Sequence, residues 1–83
     1  MNVDVRYFAA IRESLGPGER AEVPAGTTLA ALRDQLIAQS DAHAAALARG
    51  RALRCALNQT LCDESALVSD GAEVAFFPPV TGG

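Results

Sequence analysis

The chain has 83 residues, a formal net charge of −3, and 49% hydrophobic against 20% charged residues. This length is enough for one domain with a single modest core. The acidic balance and the lack of tryptophan argue against a nucleic-acid-binding protein, which would need a basic face or a base-stacking platform. We expect no signal peptide and no membrane-spanning segment, and hence a cytoplasmic protein.

The first quarter of the chain predicts two strands around a short helix. Residues 2–8 alternate between apolar and polar side chains, which is typical of a half-buried strand. Residues 9–15 change to helical spacing, and Gly16 follows where a C-terminal glycine cap would lie. A second short strand is predicted at residues 19–23, before a Pro- and Gly-containing turn.

The main predicted helix comes next, and Thr27 or Thr28 can cap its first turn. Its apolar face consists of Leu29, Leu32, Leu36 and Ile37. Its polar residues are Arg33, Asp34 and Gln35. A short alanine-rich helical segment that contains His43 is expected to begin at Ser40 or Asp41 and to end near Gly50.

The second half of the chain predicts a hairpin and a final strand. Residues 52–57 and 60–62 form the hairpin around the Asn58-Gln59 turn, and residues 72–77 form the last strand after a turn at residues 69–71. One long helix among such strands predicts an α+β roll, in which a mixed sheet wraps around one main helix. We expect one domain over residues 1–77.

Catalytic machinery is nearly absent from the sequence. The single histidine, His43, has no ligand partner at metal-binding spacing and is expected on the surface. Cys55 and Cys62 match no redox or zinc motif, so we expect reduced thiols used for packing. The acidic residues of the last third are expected to serve turns: Asp63, Glu64 and Asp70. We therefore expect neither a metal site nor a bound cofactor.

The closing stretch, FFPPVTGG, has a stiff base and a tip without side chains. Pro78 and Pro79 favour an extended chain, and Gly82 and Gly83 would let the backbone thread a narrow channel. Residues 78–83 are thus predicted to form an extended tail that reaches about 20 Å. A terminal carboxylate could attack the α-phosphate of ATP and give an acyl-adenylate, which a sulfur nucleophile could open. The alternative is an idle flexible end.

Residues 70–83, DGAEVAFFPPVTGG, resemble the C-terminus of the MoaD family, the small sulfur-carrier subunit of molybdopterin synthase. The stretches VRYFAAIRESLG, TLAALRDQL and ALNQTL extend the resemblance over nearly the whole chain. The resemblance implies the ubiquitin-like β-grasp fold. Unlike many members of that family, this chain has no lysine, because all seven of its basic residues are arginine.

The resemblance also implies a function. Gly83 would be adenylated by a MoeB-type enzyme that consumes ATP, and would then be converted to a thiocarboxylate. Its sulfur would go to cyclic pyranopterin monophosphate in complex with a MoaE-type large subunit, which forms a heterotetramer with the carrier and holds the catalytic residues. The implied threading residues are Gly82, Thr81 and Val80. The implied partner-binding residues are Phe76, Phe77, Pro78 and Pro79.

Three other functions remain open at this point. A ThiS-like carrier would deliver the same sulfur for thiazole synthesis, and a ubiquitin-like modifier would join Gly83 to lysines of target proteins. A pure interaction module would use an exposed apolar patch around residues 76–80 and would not need the glycines.

Overall fold

The computed structural model describes residues 1–79, in which a five-stranded sheet and three helices share one core. The elements are β1 (Asn2–Tyr7), α1 (Ala9–Leu15), β2 (Gly18–Glu22), α2 (Leu29–Ile37), α3 (Asp41–Leu47), β3 (Arg54–Leu57), β4 (Thr60–Cys62) and β5 (Glu73–Phe77). The predicted α+β class and the mixed sheet are confirmed.

The first and last strands lie together in the middle of the sheet. The strand order is β2-β1-β5-β3-β4, and β1 and β5 run parallel, while the other pairs are antiparallel. The Asn58-Gln59 turn between β3 and β4 has positive φ at both residues, as a two-residue primed turn requires. Because β5 is paired on both sides, the chain leaves the sheet from a well-supported strand.

The core is built from the periodicities that the sequence predicts. In β1 the alternating residues Val3, Val5 and Tyr7 are each only 1% exposed. From α2, the residues Leu29, Leu32 and Leu36 are fully buried against them in the same cluster. Each such apolar side chain contributes roughly 1.5–3 kcal/mol through burial.

The predicted helix ends are confirmed by their hydrogen bonds. Gly16 ends α1 with φ 88°, and its N–H donates to the carbonyl of Arg12 over 2.8 Å. The Thr28 hydroxyl accepts from the N–H of Ala31 at the start of α2, and the Ser40 hydroxyl caps α3 in the same way. These local bonds fix where each helix begins or ends.

Arg33 is not on the polar face of α2, so this expectation is wrong. Its side chain is almost fully buried and donates to the carbonyls of Leu47, Ala48 and Arg51, over 2.8, 2.6 and 3.2 Å. A further N–H donates to the Glu64 carboxylate over 2.8 Å. One guanidinium thus ties α2 to the end of α3 and to the loop before β5, and the fork of donors offsets the cost of burying its charge.

His43 is also not a surface residue, because its side chain is only 13% exposed. Its Nε2 lies 2.7 Å from Oε2 of Glu19, which also accepts from the Tyr7 hydroxyl, while Oε1 of Glu19 accepts from the Gln39 amide. Burial opposes the ionisation of Glu19, but the hydrogen bonds from His43, Gln39 and Tyr7 outweigh it, so its pKa is lowered. This cluster joins α3 to β2.

Candidate functional site

The tail leaves the sheet at the end of β5. Phe77 is the last residue of the strand, and Pro78 and Pro79 follow it. No cis peptide bond occurs within residues 1–79, so both of these prolines follow trans bonds. The predicted threading residues Val80, Thr81, Gly82 and Gly83 lie outside the described residues.

Phe76 belongs to the core and not to an exposed patch. It has no exposed surface and lies in the buried cluster with Val74, so the expectation of an exposed Phe76 is wrong, and its role in partner binding stays a prediction. Strand alternation is the reason, because Phe76 and Val74 point to the inner face while Phe77 points to the outer face. Phe77 is partly exposed.

An apolar groove of about 550 Å³ lies on the outer face at the base of the tail. Two small residues, Ala56 and Ala75, line it together with the larger Phe8, Leu61 and Phe77. Its remaining lining residues are Ala9, Gln59, Glu73, Pro78 and Pro79. We call Phe8, Leu61, Phe77, Pro78 and Pro79 the apolar surface.

Two residues of the apolar surface are unusually exposed for their type. Phe8 is 47% exposed and Leu61 59% exposed. The Phe8 ring meets the Phe77 ring edge-on, with centroids 6.5 Å apart. Neither Phe8 nor Leu61 was among the residues that sequence reasoning selected. The signal was there, because Leu61 precedes Cys62 in a short strand and therefore faces away from the core.

The outer face is charged over the other half of the sheet. Arg20 pairs with Asp4 at 3.3 Å, and Arg6 with Glu73 at 3.9 Å. These pairs are largely solvated and contribute little to stability. The apolar surface therefore ends at a border of hydrated charges, an arrangement typical of a protein-binding surface.

No catalytic constellation is visible in the part of the chain that the structure describes. Residues 1–79 contain no cluster of His, Cys, Asp or Glu that could hold a metal ion. Within the same residues no helix is long and apolar enough to cross a membrane. What these residues offer is an apolar groove beside Pro78 and Pro79, directly after β5.

A mixed five-stranded sheet packed on one main helix defines the class, that of small ubiquitin-like β-grasp proteins. The ThiS family model matches residues 5–83, a range that includes Gly82 and Gly83. A molybdopterin synthase sulfur carrier subunit of Escherichia coli is 49% identical over 98% of this chain and 99% of its own length. Further relatives carry the same name. The chain therefore belongs to the ThiS family and, with these relatives, to the MoaD family.

Solved structures agree with this assignment. SAMP1 from Haloferax volcanii matches with a TM-score of 0.79 and 25% identity, with all of both chains covered. A chain from the complex of subunits 1 and 2 of the molybdopterin-converting factor of Helicobacter pylori matches with a TM-score of 0.69 and 28% identity, again over all of both chains. The predicted β-grasp fold is confirmed by these neighbours.

Proposed function

We propose that this chain is the sulfur carrier of molybdopterin synthesis and that Gly83 carries the sulfur. The observation that supports this most strongly is the 49% identity, over nearly full length, to a molybdopterin synthase sulfur carrier subunit. The ThiS family match alone would suit a thiazole-pathway carrier equally well. The names of the relatives and the converting-factor neighbour favour molybdopterin.

The proposed chemistry takes place at the end of the tail. A carboxylate oxygen of Gly83 attacks the α-phosphate of ATP in a MoeB-type activating enzyme, and pyrophosphate leaves. A hydrosulfide ion then attacks the acyl carbon, AMP leaves and a proton is released, so that Gly83 ends in a thiocarboxylate. Gly82, Thr81 and Val80 form the narrow stretch that enters the partner's active site, because glycine adds no side chain there.

The large MoaE-type subunit is the proposed partner of the apolar surface. Phe8 and Leu61 expose apolar side chains to water, and this exposure does not stabilise the isolated chain. Phe77 lies directly before the tail. Docking at this surface would place the tail at the entrance of the partner's site. In that site the thiocarboxylate would give its sulfur to cyclic pyranopterin monophosphate. The neighbour from Helicobacter pylori, solved as a two-subunit complex, supports such a pairing.

Deletion of Gly83 tests the proposal. We expect the truncated chain to bind the large subunit within about twofold of the full chain, because the apolar surface is intact. Sulfur transfer to the pyranopterin substrate should fall to background. Thr81→Ser is the matched control, since it alters the tail but keeps both glycines.

Two outcomes would overturn the proposal. One is that the chain without Gly83 still supports product formation. The other is that, in cells, the chain is found mainly in denaturant-resistant conjugates with other proteins, which would favour a ubiquitin-like modifier.

A further inference from the structure

Two free cysteines face each other across the hairpin of β3 and β4. Cys55 and Cys62 are direct partners in the antiparallel register. Side chains of directly opposed residues lie on the same face of a sheet. Both cysteines accordingly pack against the core, Cys55 within it and Cys62 at its margin.

The thiol of Cys55 is directed towards β4. Its Sγ donates to the carbonyl of Cys62 over 3.2 Å. Opposed residues in an antiparallel pair have Cα atoms about 4.5–5.5 Å apart, which falls within the range of about 4.4–6.8 Å seen in disulfides. β4 has three residues and lies at the sheet edge, so the bond could close with a small adjustment of one short strand.

A small reagent can reach the pair from solvent. A depression of about 280 Å³ is lined by both cysteines and by Leu53, Arg54, Asp63 and Glu64. The two thiols differ in access, because Cys55 is only 4% exposed while Cys62 is partly exposed. Burial raises the pKa of the Cys55 thiol to about 12, and the neighbouring Cys62 acts in the same direction.

We propose that Cys55 and Cys62 form a reversible oxidation site, which closes to an intrachain disulfide by exchange with a small-molecule disulfide such as oxidised glutathione. The Cys62 thiolate attacks one sulfur of the reagent, and one glutathione thiolate leaves. Cys55 then loses its proton to solvent and attacks Cys62 Sγ, and the second glutathione leaves. Two protein thiols become one disulfide, and one glutathione disulfide becomes two glutathione thiols.

This site is separate from the sulfur chemistry proposed for the tail. Cys62 faces the core side of β4, whereas Leu61 faces the apolar surface. The cysteine proposal is therefore independent of the proposed carrier function. Its test needs only the folded chain and oxidised glutathione.

Peptide mass spectrometry tests the proposal, after the folded chain has been incubated with excess oxidised glutathione. Free thiols are alkylated before digestion, which prevents exchange during handling. Trypsin cleaves after Arg54, and no later basic residue follows, so Cys55 and Cys62 lie in one peptide. We expect most of this peptide to be unalkylated and lighter by two hydrogen atoms, and dithiothreitol to restore two alkylation sites.

Three results would overturn the proposal: two free thiols after incubation, a lasting glutathione adduct on Cys62, or a disulfide between two chains. Single variants test the order of attack. Cys55→Ser should accumulate the Cys62 adduct, because no second thiol can resolve it. Cys62→Ser should take up at least tenfold less glutathione, and equal labelling of the two variants would contradict the assigned roles. Because the wild-type result needs no variant, a folding defect in either variant leaves the main test intact.

Discussion

Two regions of the molecule place side chains in the opposite environment from the one their chemistry favours. On the outer face, Phe8 and Leu61 are exposed to water beside the base of the tail. On the other side of the sheet, the charged Arg33 is buried under the end of α3. The two cases have different causes. Phe8 and Leu61 are not covered by other residues of the described chain, whereas Arg33 has hydrogen-bond acceptors within the chain.

This difference distinguishes residues that stabilise the fold from residues that are available to bind a partner. Every donor of Arg33 that the structure records is matched by an oxygen of this chain, so Arg33 serves the fold. The apolar surface gains nothing from its exposure, so we infer that it serves a complex. Variants of one region should therefore change stability without changing affinity, and variants of the other region should do the reverse.

The largest expected effect is that of Arg33→Met on the free energy of unfolding. The change removes the only recorded side-chain donor of the Leu47 and Arg51 carbonyls, while the Ala48 carbonyl still accepts from the N–H of Arg51. Glu64 keeps its contact with Arg49. We expect a loss of roughly 3 kcal/mol in urea denaturation, a large part of the total for a domain of this size. Affinity for the large subunit, measured where the variant is folded, should be unchanged.

Arg49→Met is the matched control for Arg33→Met. Arg49 contacts the same carboxylate but is 45% exposed, so its loss should cost about 0.5 kcal/mol. Equal losses in the two variants would contradict the structural role assigned to the buried guanidinium.

The second effect concerns the apolar surface. Leu61→Asp puts a charge into the proposed interface and should weaken binding of the large subunit by about 30-fold or more, while the unfolding free energy stays within about 0.5 kcal/mol. Isothermal titration calorimetry and urea denaturation measure the two quantities.

Leu67→Asp is the control for Leu61→Asp, because Leu67 is 62% exposed but does not line the groove. The assignment of the interface fails if both variants bind like the wild type, or if Leu67→Asp is the more damaging of the two.

The smallest effect concerns pH. Because the pKa of Glu19 is lowered in the folded chain, its contribution to stability is present above the ordinary glutamate pKa and disappears as pH falls through the lowered value. Glu19→Gln should cost about 1 kcal/mol near neutral pH and progressively less in acid. Denaturant titrations from pH 7 downwards measure this, and Glu22→Gln on the same strand is the control. A constant difference at all pH values would show that ionisation of Glu19 is not involved.

Much of the fold could be predicted because its signals are local. Alternation in β1, the glycine cap at Gly16 and the Asn58-Gln59 turn depend on neighbouring residues only, and the structure confirms each of them. The parallel pairing of β1 with β5 joins the two ends of the chain, and no local pattern shows such a contact.

The errors arose where distant residues decide the environment. Arg33 and His43 look like polar helix residues until Glu64 and Glu19, 31 and 24 positions away, supply their partners. Phe76 was grouped with the tail by its neighbours in sequence, although strand alternation buries it. The tail residues Val80, Thr81, Gly82 and Gly83 stay a prediction, as does the division between a domain at residues 1–77 and a tail at residues 78–83.

The central claim is that Gly83 carries sulfur, and intact-mass measurement tests it most directly. The chain is incubated with ATP, a MoeB-type enzyme and sodium sulfide, and the product is fragmented to locate any change. The account predicts a mass increase equal to the replacement of one oxygen by sulfur, localised to Gly83. The account would be contradicted if neither a mass shift nor an adenylate were detected with an enzyme that is active on another carrier.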